Sequence, residues 1–184
     1  TTEVAQWSIR DRDFTEFYPL YALREYKYNS INQFNRNRLL WLDPYVDGMQ
    51  TAHDEVVGFS LVASSKRDER RLISVVLGTD RENLRSSESQ RLLNLGFKDF
   101  ESVILYRKDQ PVSTLRLWKG TEHQVEVGFR DDRHITVPVG ERDLLRAKLE
   151  TRQPLIAPVN EGQSIGTLHL SLNGEPYLDL PVVV

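Results

Sequence analysis

The chain has 184 residues, 39% of them hydrophobic and 28% charged, with a formal net charge of −3 and no cysteine. That length allows one medium domain or two small ones, each able to bury a core. Interspersed arginines and acids exclude a basic stripe for nucleic acid and a polybasic membrane tract. The missing cysteines exclude disulfides and thiolate chemistry, and no apolar run approaches the ~18 residues of a membrane helix.

Thr2 is placed to cap a short helix with Val4, Ala5 and Ile9 on one face. Phe14–Ala22 is aromatic-rich, with Pro19 limiting any helix there. Tyr26–Tyr28 reads as extended, and Asn32–Arg38 has the composition of a loop. Val57–Ser64 alternates like a strand with one buried face. Arg71–Gly78 contains the uniformly apolar Leu72–Leu77, the pattern of a central strand buried on both sides. Ser65–Arg70 between them is polar, a hairpin tip. Ser86–Phe100 gives the clearest helix, with Leu92, Leu93, Gly96, Phe97 and Phe100 predicted as its apolar stripe.

Near residues 105–112 the character changes to short strands and turns. Leu115/Leu117, Val125/Val127/Phe129, Ile135/Val137/Val139 and Leu168/Leu170/Leu172 each alternate, and the last run meets Asn173-Gly174, a strong hairpin signal. Tyr177–Leu180 supplies the returning strand. Strands at this spacing favour a small antiparallel sandwich or barrel.

Chemistry-bearing groups are sparse. His53, His123, His134 and His169 have no ligand spacing, so neither a metal nor another cofactor is expected. His53-Asp54-Glu55 reads as a solvated tip, and Asp43 and Asp47 as loop and turn residues. Ser30-Ile31-Asn32 and Ser171-Leu172-Asn173 share the loose spacing Ser-x-Asn, and no lysine has a serine three residues before it. Trp7, Trp41 and Trp118 are expected in cores or at the domain junction.

The segment Asp47-Gly48-Met49-Gln50-Thr51-Ala52-His53 resembles the Asp-Gly-(aliphatic)-Lys-Thr-Gly-His strand of the serine D-alanyl-D-alanine carboxypeptidases, the low-molecular-mass penicillin-binding proteins. Tyr28–Trp41 resembles the family segment that leads into this strand. Leu61–Ser64 and Arg71–Gly78 resemble the next two strands, and Glu88–Phe97 the helix that closes the domain. The remainder is similar to the family's all-β C-terminal domain.

The resemblance implies an α+β fold: residues 1–105 as a partial transpeptidase-like antiparallel sheet with packed helices, and residues 106–184 as a small all-β sandwich. It also implies a cell-envelope location, periplasmic or extracytoplasmic. In the family the strand lysine offers a cation to the substrate carboxylate, and the glycine lets the substrate backbone approach. Here those positions are Gln50 and Ala52, while Thr51 and His53 match. The expectation is a degenerate or truncated member, non-catalytic as this chain, whose remnant strand Gln50–His53 keeps at most a weak site for a peptidoglycan stem peptide. The alternative is part of an active carboxypeptidase whose Ser-x-x-Lys and Ser-x-Asn motifs lie upstream. Exposed apolar faces at Leu72–Leu77 and Leu92/Phe97 further predict either a homodimer that buries them or a compact, rearranged half-domain.

Overall fold

The computed structural model describes residues 16–108 and 110–184. The helix expected after Thr2, and Trp7, lie outside them. The chain divides into two compact units between Asp99 and Phe100.

The first unit begins with a 3-10 turn, Tyr18–Ala22, with Pro19 at its start. A two-stranded hairpin follows, β1 (Glu25–Tyr28) paired with β2 (Ile31–Phe34). Asn32–Phe34 is therefore strand rather than loop. Both strands are exposed throughout, so polar residues cost this ribbon nothing and the composition concealed it. A short helix α1 (Leu39–Leu42) buries Leu39 and Leu40.

Three long strands then form one antiparallel sheet: β3 (Val46–Asp54), β4 (Gly58–Arg67) and β5 (Arg70–Thr79), in that order. The central strand is β4, not the apolar run of β5. Leu77, near the end of β5, is 60% exposed. The hairpin tip is also tighter than its composition suggests, because Lys66, Arg67 and Arg70 belong to the strands and Asp68 turns at φ 52.

Helix α2 (Glu82–Asp99) packs on this sheet by a face that keeps Leu93 and Gly96 of the predicted stripe, leaves out Leu92, and extends toward its N-terminal half. Arg85, Ser86, Ser89 and Leu93 are buried, whereas Leu92 is 46% exposed. Residues 85, 89 and 93 recur at helical spacing, and their small neighbours let the helix lie close. A Cβ at Gly96 would stand 2.7 Å from Leu72 Cδ1. The core here joins Leu39, Leu40, Val46, Leu61, Ala63 and Leu93. Phe100 has left the helix and opens β6.

The second unit is all-β. It comprises β6 (Phe100–Tyr106), β7 (Ser113–Trp118), β8 (Gln124–Val127), β9 (Arg133–Pro138), β10 (Leu145–Thr151), β11 (Leu155–Ile156), β12 (Ser164–Leu172) and β13 (Glu175–Val183). They form the sheets β10-β12-β13, β11-β7-β8 and β6-β9, antiparallel apart from β7 with β11. Their inner faces share one core around Val127, Ile135, Val137, Leu168, Leu170 and Val182. Asn173 and Gly174, at φ 53 and 87, make the predicted two-residue turn between β12 and β13. The α+β class, a helix-packed antiparallel sheet followed by a small β sandwich, agrees with the sequence reading.

Candidate functional site

Gln50, Thr51, Ala52 and His53 lie in the middle of β3, opposite Val62, Leu61, Ser60 and Phe59 of β4. Alternation places Gln50 and Ala52 on one face with Gly48, and Thr51 and His53 on the other. The four side chains therefore do not converge on one point. Their common property is position: among the described residues β3 is an edge strand, and Gln50, Ala52 and His53 are exposed. The His53 ring stacks on Phe59, with centroids 4.1 Å apart and planes 27° apart.

Two buried side chains fix the main chain on either side of this stretch. Asn37, fully buried, donates from Nδ2 to the Gly48 carbonyl at 3.0 Å. Its Oδ1 accepts from the Leu39 N–H at 3.1 Å, which ties the start of α1 to the same strand. Arg85, on α2 and 2% exposed, donates from Nη1 to the Ala52 carbonyl at 3.2 Å. Its Nη2 reaches the Arg36 carbonyl at 3.2 Å and Glu82 Oε1 at 2.9 Å, and its guanidinium lies 5.5 Å from the Phe59 ring centroid. Burial pulls the Arg85 pKa down, opposed by Glu82. A guanidinium retains its proton under such a shift, so a cation is buried directly behind Ala52. Arginine is abundant in this chain, and sequence reasoning passed over Arg85; the signal was its spacing with Ser89 and Leu93.

At the start of β3, the Tyr18 hydroxyl donates to Asp47 Oδ1 at 3.0 Å. Arg71 Nη1 reaches Asp47 Oδ1 at 2.8 Å and Oδ2 at 2.7 Å, and Ser64 Oγ at 2.6 Å. It also donates to the Tyr18 hydroxyl at 3.0 Å. Burial is the main reason that the Tyr18 pKa is pushed up to about 12. The second acid, Asp43, pairs with Arg67 at 3.1 Å. Each carboxylate thus has its own arginine, and the two are not an acid–base pair.

Asp54 Oδ1 accepts the N–H groups of Val56 and Val57 at 2.8 and 2.9 Å. Those bonds hold its pKa below the ordinary carboxylate value, as suits a turn rather than a proton carrier. No cluster of three metal-ligating side chains occurs among the described residues. Ser30, at φ 66, and Asn173 are turn residues. Trp41 and Trp118 are 45% and 46% exposed, so neither takes the place in a core that was one of the two expected for them: each sits on the outward side of an element whose preceding residue, Leu40 or Leu117, faces inward. An open cavity of about 550 Å³ has Phe34, Arg36, Arg38, Trp41 and Glu82 among its walls.

A strand edge with exposed residues and neighbouring carbonyls held rigidly can accept an extended peptide by main-chain pairing. A family model described as D-alanyl-D-alanine carboxypeptidase matches residues 2–81. A second, described as penicillin-binding protein 5, C-terminal domain, matches residues 100–184. The chain is 38% identical over 174 residues to the D-alanyl-D-alanine carboxypeptidase DacC of Escherichia coli, covering 94% of this chain and 44% of that protein. It is 37% identical over 167 residues to DacA of Haemophilus influenzae, covering 89% and 42%. Penicillin binding protein 5 from Haemophilus influenzae superposes with a TM-score of 0.87 at 36% identity, over 94% of this chain and 51% of that one. The chain therefore spans less than half the length of these curated relatives.

Proposed function

Because the chain belongs to the D-alanyl-D-alanine carboxypeptidase family, we propose that β3 is a docking edge for an extended peptidoglycan stem peptide, and that this chain holds such a peptide without cleaving it. The reading is carried by one observation: Gln50, Ala52 and His53 are exposed on a strand that is an edge among the described residues and whose Gly48 and Ala52 carbonyls are clamped by Asn37 and Arg85. A hydrogen bond to a charged group contributes about 1.5–3 kcal/mol, and a neutral one about 0.5–1.5. Gln50 therefore grips a terminal carboxylate more weakly than a lysine would. The Cβ of Ala52 keeps a second backbone further off than glycine allows. A cell-envelope site of action goes with this reading. No helix among the described residues is long and apolar enough to cross a membrane.

Thr51 and His53, which match the family strand, favour a second reading: this is part of a working carboxypeptidase whose nucleophile lies in other sequence. Intact-mass spectrometry of the protein from its native source, with excess penicillin, separates the two. A silent binder gains no adduct; a working acyl-enzyme gains one penicillin.

The docking edge itself is tested by titrating a peptide ending in D-Ala-D-Ala. Gln50→Lys is expected to tighten binding of the free carboxylate by about tenfold, as roughly 1.4 kcal/mol of added charge-assisted bonding requires. The C-terminal amide should not benefit. Equal affinities of wild type and Gln50→Lys for the carboxylate would overturn the assignment.

A further inference from the structure

In the second unit, the sheet β11-β7-β8 turns Leu115, Leu117, Val125, Val127 and Leu155 into the core. Its opposite face is open. Cross-strand register sets Ile156 beside Trp118, Arg116 beside Gln124, and Thr114 beside Glu126, and all six are exposed. Trp118 stays 46% exposed although the Arg116 guanidinium lies 4.1 Å from its ring centroid. The polar side chains of Thr114, Gln124 and Glu126 make no hydrogen bond or ion pair with described residues, and Arg116 makes none beyond its stacking contact.

From this surface we infer a glycan-binding site on the outer face of β7 and β8, taking a neutral oligosaccharide along β7. Three features point to that chemistry. The buried core of a protein interface is more apolar than the general surface and depleted of charge. Here only Trp118 and Ile156 are apolar, both stand at one end, and Arg116 and Glu126 occupy the rest of the strip. The single cation and single anion, Arg116 and Glu126, cancel, so the strip complements neither a nucleic acid nor an acidic peptide. A sugar ring presents one apolar C–H face and a rim of hydroxyls, each both donor and acceptor. It fits a flat aromatic ring followed by a row of unpaired donors and acceptors. Six residues of β7 extend about 20 Å, room for several linked sugars. Sheet faces of small β domains serve oligosaccharides in this way elsewhere. The site lies on the second unit and does not rest on the peptide reading of β3.

The test is calorimetric titration of the whole chain with the tetramer of β-1,4-linked N-acetylglucosamine, an uncharged probe. Saturable binding is expected, weakened at least tenfold in Trp118→Ala and substantially restored in Trp118→Phe, with an unchanged thermal midpoint because the ring is half exposed. Should Trp118→Ala fail to fold, Gln124→Ala keeps the core side of the sheet intact and is expected to weaken binding severalfold. Gln50→Lys should leave sugar binding unchanged, which separates this site from the β3 edge. No saturable binding at millimolar sugar, unaltered affinity in Trp118→Ala or Gln124→Ala, or displacement of the sugar by polyglutamate or DNA would each overturn the assignment.

Discussion

The two units contain equal numbers of described residues but bury their apolar side chains very differently. In the second, ten buried residues from three sheets and Phe129 between β8 and β9 form one core, and seven large hydrophobic side chains remain exposed. In the first, six residues form the core and sixteen such side chains are exposed, Phe34 (67%) and Leu77 (60%) among them. The second unit is closed by its own strands. The first is held as much by polar clamps as by apolar packing: Arg85 and Asn37 on β3, Arg71 with Asp47 and Tyr18, and Arg67 with Asp43. Buried polar groups of this kind stabilise little on net, yet are costly to break singly. The comparison predicts different points of failure.

The largest effects should show this directly. Arg85→Met strands the Ala52 and Arg36 carbonyls and leaves Glu82 without its cation. It should cost about 3 kcal/mol, in keeping with removal of one member of a buried charged network. Leu168→Ala in the second unit should cost about 2–5 kcal/mol through its cavity. Residue-resolved hydrogen exchange would locate each loss. The expected result is faster exchange on β3 and α2 for the first variant and on β10, β12 and β13 for the second. Accelerated exchange spread evenly over the chain in both cases would contradict two separately held units.

The exposed apolar surface gives the next contrast. The two faces expected to be exposed are smaller than predicted: within Leu72–Leu77 only Leu77 is exposed, and Phe97 is half-buried with Arg67 and Arg70 over its ring. That leaves Leu77, Leu92 and Leu95 for a second copy of the chain to cover. Light scattering is expected to return twice the chain mass of 21.4 kDa, with little dye binding at the dimer concentration and more on dilution. A monomer that binds no hydrophobic dye at any concentration would remove the dimer.

The polar clamps of the first unit also carry a pH signature. Tyr18 holds its proton in the folded state to about pH 12, whereas an unfolded tyrosine loses it near 10. Its contribution to stability is therefore full below about pH 10 and is lost as pH rises toward 12. Of the seven tyrosines, one should titrate last in the ultraviolet difference spectrum, and that step should vanish in Tyr18→Phe. The variant should also flatten the alkaline fall in stability of the first unit, while β12 and β13 respond to pH as before.

Legibility in the sequence followed the same division. Strands of the second unit with one face in the core, such as Val125/Val127 and Leu168/Leu170/Leu172, show their alternation plainly. β10 escaped notice although Leu145, Ala147 and Leu149 alternate too, because its intervening Arg146, Lys148 and Glu150 are also good helix formers. In the first unit, position depends on pairing that local pattern does not encode. The uniform apolarity of Leu72–Leu77 suggested a central strand, yet among the described residues β5 pairs with β4 alone. The helix buries Arg85, Ser86 and Ser89 where composition favoured Leu92 and Phe97, since close approach to the sheet rewards small side chains and one well-bonded cation. The strand Gln50–His53 was found through resemblance, but its clamps were not, because Asn37 and Arg85 act from 11 and 33 residues away.

The smallest contrast is between two hairpins of identical length. Tyr28 pairs with Ile31 around Asn29-Ser30, and Leu172 with Glu175 around Asn173-Gly174. All four turn residues have positive φ: 47 and 66 in the first hairpin, 53 and 87 in the second. The geometry suits two-residue turns and favours glycine at the second place. The second unit has it; the first has serine. No atom stands within 4 Å of a Cβ built on Gly174, so Gly174→Ala tests conformation alone and should cost about 1 kcal/mol. Ser30→Gly should gain a similar or smaller amount, because relief of the strained φ is partly offset by the greater freedom of glycine in the unfolded chain. The gain should be confined to slower exchange in β1 and β2. Equal and opposite shifts would mean that backbone strain alone distinguishes the two turns. A Ser30→Gly variant no more stable than wild type would mean that the exposed ribbon is limited by its missing burial, and that correcting its turn cannot compensate.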